Sequence, residues 1–275
     1  MQIFSTSRPD INMSLKNRNF RVEHLPKVSP ENRWRTEAMR SYSQPMLIWF
    51  TRGQGRITIA GVTHGFGPHN AVFLPAGTMH GYEMLGQVNG LVVFFPPDNR
   101  LTLPESPRHF RFRDVHQQAE LTGMIDNLSK ELDNVRPGQD RALMAHAGLI
   151  SVWLDRESTE ENLHDLHPDA ARRLAAAFTS MVEVDFKSGR TINDYAARLG
   201  VTPTHLTRSC NTACGRSASS LLADRLHFEA RTMLRETRKP VKDIATVLGF
   251  SSAAYFTRAF QKHTGKTPSE FRRGA

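Results

Sequence analysis

Arg208 and Arg258 stand 50 residues apart, and each follows a threonine, Thr207 or Thr257. A guanidinium on a helix surface can hold guanine O6 and N7 through two hydrogen bonds. Such a pair is worth roughly 1–3 kcal/mol of discrimination against a wrong base. A single surface arginine is ordinarily only a solvated side chain. Two at matching positions of a repeated pattern point instead to base or phosphate contact. The repeat is dense: Asp194, Ala196, Leu199 and Gly200 recur as Asp243, Ala245, Leu248 and Gly249 at an offset of 49, while Thr207, Arg208 and Gly215 recur at 50. The second copy therefore carries one extra residue just after its glycine turn.

Each copy reads as a short helix, a glycine turn and a second short helix, spanning 191–212 and 240–263. That is the layout of a helix-turn-helix, whose second helix enters the DNA major groove. Thr191 can cap the first helix, with Asp194 three residues on to complete a capping box. Gly200 and Gly249 suit the positive φ that ends a helix. Thr202 is a natural N-cap, and Pro203 then sits where a missing N–H costs nothing. Leu206 and Cys210, four apart, point into the core, as do Phe256 and Phe260 in the second copy. Thr204, Thr207 and Arg208 are left facing outward, as are Ala253, Ala254, Thr257 and Arg258. The two alanines can at best touch a thymine methyl, so the second copy grips DNA more than it reads it.

Charge agrees with this. The chain carries 36 Lys+Arg against 27 Asp+Glu, a net of +9, and residues 168–275 hold 18 basic and 9 acidic side chains. The whole excess lies on the segment with the doubled motif, and residues 1–167 are balanced. Such asymmetry implies a polyanionic partner, with binding that weakens steeply with salt. A membrane surface would ask for a long basic amphipathic stretch, which is missing.

The C-terminal segment resembles the AraC/XylS family of bacterial transcription regulators. The resemblance rests on Arg225, Leu226, Ala230, Leu234, Thr237, Pro240, Val241, Ile244, Ala245, Gly249, Phe250, Phe256, Arg258, Phe260, Lys262, Gly265, Pro268, Phe271 and Arg272. Phe271 departs from the tyrosine more usual there. The resemblance implies two helix-turn-helix units bridged by one long helix, here about Ser217 to Arg235. It implies base contacts from Thr204, Thr207, Arg208, Ala253, Ala254, Thr257 and Arg258. Two reading helices on one chain should enter successive major grooves about 34 Å apart.

Residues 1–113 read as β. Met46–Thr51, Arg56–Ala60, Ala71–Leu74 and Leu91–Phe95 are short apolar or alternating runs, punctuated by Gly53, Gly55, Gly61, Gly65, Pro75 and Gly77. Pro75, Gly77 and His80 are spaced like the second motif of the cupin barrel, and the domain resembles the small-molecule-binding domain at the front of the same family. Metal-binding cupins also need a His-x-His pair earlier in the chain. Residues 42–61 contain no histidine, so no metal and no cofactor are expected. The expectation is a barrel for an organic effector, with His80 as a polar contact and Tyr42, Trp49 and Phe94 as walls. Each of those three reads equally well as an ordinary core residue.

The expected organisation is thus an α+β protein of two domains: a cupin-like barrel with two helices (1–113 and 114–155), a linker (156–167) and an all-α DNA-binding domain (168–275). Leu121, Met124, Ile125, Leu128 and Leu132 form one helical stripe. Leu143, Ala147, Ile150 and Leu154 form another. They cover the barrel or form a dimer interface, and both roles are compatible. Cys210 and Cys214 do not make a disulfide framework, and a buried core role is the default for Cys210. No apolar run approaches the roughly 18 residues of a membrane span, and the N-terminus lacks a signal pattern, so a cytoplasmic protein is expected.

The leading expectation is a non-enzymatic, effector-responsive, sequence-specific regulator. The resemblance implies activation, with RNA polymerase and promoter DNA as partners and a homodimer as the working form. The alternatives are a metal-dependent cupin enzyme with an accessory DNA domain, and an architectural DNA-binding protein without effector.

Overall fold

The computed structural model describes residues 20–26, 34–98, 100–161 and 169–274. The front domain is an antiparallel sheet of β1 (Arg21–His24), β2 (Met46–Ile59), β3 (Val62–Phe66), β4 (Asn70–Leu74), β5 (His80–Phe94) and β6 (Arg108–Arg111), with a single-turn helix α1 (Trp34–Glu37) before β2. The strand order is β1-β5-β2-β4-β6, and β3 pairs with β2.

Two of the expected strands are one. Residues 46–51 and 56–59 belong to β2, which pairs along its length with β5, from Met46 opposite Phe94 to Ile59 opposite His80, and Ala60 turns the chain toward β3. The register shifts between Phe50, Arg52 and Gln54. There Gly53 takes φ +86, and an added Cβ would sit 2.4 Å from the Gln87 carbonyl oxygen. The glycine therefore makes a bulge that bends the ribbon rather than a turn that ends it. Among the described residues the sheet does not close into the expected barrel. β1 is paired only with β5 and β6 only with β4.

Both faces of β4 and of the first five residues of β2 are buried, which is why Met46–Phe50 and Ala71–Leu74 read as unbroken apolar runs rather than alternating ones. One face (Leu47, Trp49, Ala71, Phe73, Val93) packs under α2 (Val115–Asp133) and α3 (Gln139–Glu161). The opposite face (Met46, Ile48, Phe50, Val72, Leu74, Val92, Phe94) forms a second cluster with Ile57, Phe66 and Tyr82. Leu121, Ile125 and Leu128 of α2 and Leu143, Ala147, Ile150 and Leu154 of α3 are fully buried against the sheet. Each such leucine or isoleucine contributes about 1.5–3 kcal/mol over exposure. The two sequence stripes thus cover the sheet. Helix α3 continues through Glu161, so the first half of the expected linker is helical; 162–167 lie outside the described residues.

The C-terminal domain comprises α4 (Ala170–Asp185), a 3-10 turn (Phe186–Ser188), α5 (Ile192–Arg198), α6 (Pro203–Cys214), α7 (Ala218–Glu236), α8 (Val241–Val247), α9 (Ala253–Thr264) and α10 (Pro268–Arg273). Residue 168, where the expected C-terminal domain begins, lies outside the described residues, and Asp169 caps α4. One core gathers Phe178, Tyr195, Leu206, Leu221, Leu234, Phe256 and Phe260, and takes in Met39 and Met79 from the sheet domain.

Candidate nucleic-acid interface

The local chemistry of each copy follows its sequence. Thr191 accepts from the Asp194 N–H, and Asp194 accepts back from the Thr191 N–H, a complete capping box. Thr202 caps α6 by accepting from the His205 N–H at 3.2 Å, with Pro203 at the first helical position. In the second copy Ser252 takes that part for α9, accepting from Tyr255 N–H at 3.1 Å. Leu206, Cys210, Phe256 and Phe260 are each 0% exposed. Burying these pairs fixes which faces of α6 and α9 point away from the core.

On those outer faces Thr204, Arg208, Ala254 and Arg258 are exposed, while Thr207, Ala253 and Thr257 are half-buried. Ala253 leans on the core, and the Thr257 hydroxyl donates to the Ala253 carbonyl at 2.9 Å. Neither Arg208 nor Arg258 has an ion pair or hydrogen bond through its guanidinium among the described residues. Their neighbours differ. Arg190 and Arg198 both pair with Asp185, Arg216 with Asp224, and Arg225 with Glu183 and Glu229. The two arginines at repeat-equivalent positions thus keep their donors available to a ligand. Two further side chains stand on these faces that the repeat did not single out: His205 on α6 and Tyr255 on α9, the latter 52% exposed. A tyrosine one residue before the core Phe256, and so off the buried face, was the available signal.

The two copies are held in one relation by α7 and by a backbone contact. A Cβ on Gly249 would lie 2.5 Å from the Gly189 nitrogen and from the Lys187 carbonyl oxygen. The turn of the second copy therefore passes directly against the chain that enters the first.

The expected effector residues divide. His80, Tyr42 and Phe94 come together: the rings of Tyr42 and His80 are 5.7 Å apart, and those of Tyr42 and Phe94 5.3 Å. Trp49 lies on the opposite sheet face, under the helices, where its indole N–H donates to Thr122 at 3.3 Å. It is not brought into the cluster, because odd and even positions of β2 face opposite ways. His80 is 1% exposed. Its Nδ1 lies 2.9 Å from the Thr78 carbonyl, so that nitrogen carries the proton, and Nε2 is left as a buried acceptor without partner. Burial, reinforced by the charge of Arg40, lowers its pKa to about 3.

Arg40 and Tyr82, not singled out by sequence, complete this cluster. An isolated β-bridge joins Arg40 to His80. The Arg40 guanidinium is 4.6 Å over the Tyr82 ring and donates to the Thr36 carbonyl at 2.7 Å, while its Nε remains unpaired. Among the described residues no group of three His, Cys, Asp or Glu side chains is arranged to hold a metal. Cys210 and Cys214 are free thiols. Burial pushes Cys210 up to about 12, and the Cys214 thiol donates to the Cys210 carbonyl at 3.2 Å. Neither is poised as a nucleophile.

Helix α1 and the chain after it also touch the C-terminal domain. Ser41 donates to Glu183 on α4, and Arg216 donates to the Glu37 carbonyl. Trp34 meets Phe228 edge-on at 6.0 Å, with Arg231 4.9 Å over its ring.

Comparison with known proteins bears on both halves. The AraC-like ligand binding domain family matches residues 32–150, and a helix-turn-helix domain family matches 195–274. The arabinose operon regulatory protein of Salmonella typhimurium is 31% identical over 248 residues, covering 86% of this chain and 85% of that one. Its Escherichia coli counterpart is 27% identical over 249 residues, covering 86% and 82%. Among solved structures, ToxT from Vibrio cholerae aligns over 92% of this chain and 97% of its own, at 12% identity and a TM-score of 0.43. The chain therefore belongs to the AraC family of transcription regulators, with an effector-binding domain in front of a helix-turn-helix DNA-binding domain.

Proposed function

We propose that α6 and α9 read promoter DNA in two successive major grooves, with Arg208 and Arg258 as the principal base contacts and Thr204, Thr207, Ala253, Ala254 and Thr257 beside them. The observation that carries this is the pair of unpartnered guanidiniums at equivalent positions of the repeat, while Arg190, Arg198, Arg216 and Arg225 are each ion-paired. Selection from a random duplex pool followed by footprinting tests it. The expected result is two protected tracts on one face of the duplex, about one helical turn apart. Protection of a single groove, or no selected sequence, would sink the reading.

The effector sits against His80, Tyr42, Phe94, Arg40 and Tyr82. The Nε2 lone pair of His80 asks for a donor and the Arg40 Nε–H asks for an acceptor. A hydroxyl satisfies both roles, so the effector is a small hydroxylated molecule flanked by aromatic rings. Two relatives are named as arabinose operon regulators, in keeping with that chemistry. The effector changes DNA occupancy only through its differential affinity for two arrangements of the domains. Ligand at 100 times its Kd should stabilise the protein by about 2.7 kcal/mol, read in a thermal-shift panel of polyols and sugars.

The working form is a homodimer, supported by the outer face of α3. There Leu149 and Val152 are 59% and 46% exposed, beside the exposed Ala145 and one turn from Gly148. The regulator activates transcription with RNA polymerase as partner, in keeping with an activator among the relatives, CfaD of Escherichia coli, 23% identical over 159 residues. Its activity is regulation rather than catalysis, and it acts in the cytoplasm, where its promoter lies. No helix among the described residues is long and apolar enough to cross a membrane.

A further inference from the structure

Asn211 on α6 and Gln261 on α9 stand in the same relation to each other as Arg208 and Arg258, an offset of 50, and each lies three residues beyond its arginine. Their structural equivalence has an independent mark. The Asn211 carbonyl accepts from the Gly215 N–H at 2.8 Å, and the Gln261 carbonyl accepts from the Gly265 N–H at 2.8 Å. Both glycines are left-handed C-caps, at φ 69 and 75. Both side chains are exposed, and neither amide group has a hydrogen-bond partner among the described residues. The carbonyls make the caps, so the side chains are not needed for them.

We propose that Asn211 and Gln261 are a second pair of base-reading residues, each selecting adenine next to the base pair read by Arg208 or Arg258. This rests on the assignment of α6 and α9 as reading helices. Three residues of α-helix advance about 4.5 Å and return to nearly the same face. A duplex advances about 3.4 Å per base pair. The amide thus comes level with a neighbouring base pair while the arginine holds its own. A carboxamide carries a donor and an acceptor side by side, which complements N7 and the N6 amino group of adenine. It has no net charge, so it adds little to phosphate attraction. That role belongs to exposed cations such as Lys262, the residue after Gln261. Two uncharged amides at one repeat position, on helices of a domain otherwise rich in cations, fit readout better than grip.

The test uses the full chain and a random-sequence duplex pool. Selected motifs are compared for the wild type, Asn211→Ala, Gln261→Ala and the two arginine variants, Arg208→Ala and Arg258→Ala. Each amide variant should lose an adenine preference of about tenfold at one base pair of its own half of the motif, with the neighbouring arginine-read position intact. Asn211→Lys and Gln261→Lys should raise affinity for all sequences while erasing the same preference, a gain that a misfolded protein does not give. An unchanged motif, or equal loss on every sequence in the alanine variants, overturns the proposal. If the arginine variants also leave the motif unchanged, the assignment of α6 and α9 as reading helices fails and the amide readout fails with it. If only the amide variants are silent, that assignment stands without it.

Discussion

Arg225 on α7 donates through Nε to both carboxylate oxygens of Glu183 on α4, at 2.9 and 3.0 Å, with the two side chains only 7% and 8% exposed. The guanidinium also lies 3.9 Å over the Phe186 ring, and Ser41 of the sheet domain donates to the same carboxylate. One buried charge pair thus ties α4 to the long connecting helix and receives the chain that leaves α1.

Removing Arg225 strands the buried Glu183 carboxylate without a counter-ion among the described residues, whereas removing Glu183 leaves Arg225 its second partner, Glu229, at 3.1 Å. Arg225→Leu is expected to destabilise by about 3–5 kcal/mol, Glu183→Leu by less, and the double variant by less than Arg225→Leu, because Glu183 is then gone and Glu229 keeps Lys187. Urea unfolding of the three variants measures this. Single variants within about 0.5 kcal/mol of wild type would show that water reaches the pair.

Arg208→Ala is expected to reduce the ratio of affinities for a selected site and for random DNA by a factor corresponding to about 1–3 kcal/mol. Fold stability should be nearly unchanged, since the side chain is exposed. Titrations of both duplexes at one salt concentration decide it. Equal loss on both would assign Arg208 to phosphate alone.

Acid should destabilise the protein through two histidines. His80 and His227 have pKa values lowered from 6.5 to about 3, in each case chiefly by burial, with Arg40 beside the first and His263 stacked 4.3 Å from the second. The unfolded chain binds these protons near pH 6.5 and the folded one only near pH 3. Their contribution is therefore complete above pH 6.5 and is lost progressively as pH falls toward 3. Thermal midpoints of wild type, His80→Gln and His227→Gln across pH 7 to 4 should show a flatter profile for each variant. Parallel profiles would mean that the histidines are already hydrated in the folded state.

Leu149→Glu is expected to convert a dimer to a monomer without loss of fold, since Leu149 is 59% exposed in the single chain. Sedimentation velocity at micromolar concentration reads the first effect and circular dichroism the second. An unchanged sedimentation coefficient would move the dimer contact off this face of α3.

The DNA-binding half was largely legible because its determinants are local. Caps such as Thr191 with Asp194, and Thr202 before Pro203, act within one helical turn. The spacing of Leu206 with Cys210 and of Phe256 with Phe260 decides which side of each helix is buried. Once those pairs turn inward, Arg208 and Arg258 must turn outward. The front half was less legible for a reason of the same kind. Where a strand is buried on both faces, as β2 is from Met46 to Phe50, alternation disappears from the sequence. Nothing local then says that Trp49 faces the helices while Phe94 faces His80. The long pairing of β2 with β5 decided that parity. The Arg40–His80 bridge, joining residues 40 positions apart, decided that an arginine with no local motif stands beside the histidine. The order of residues set the faces of α6 and α9, because a helix is built from neighbours. Only the folded chain set the composition of the cluster around His80 and the hold of Ser41 on Glu183, because both depend on contacts that no short stretch of sequence contains.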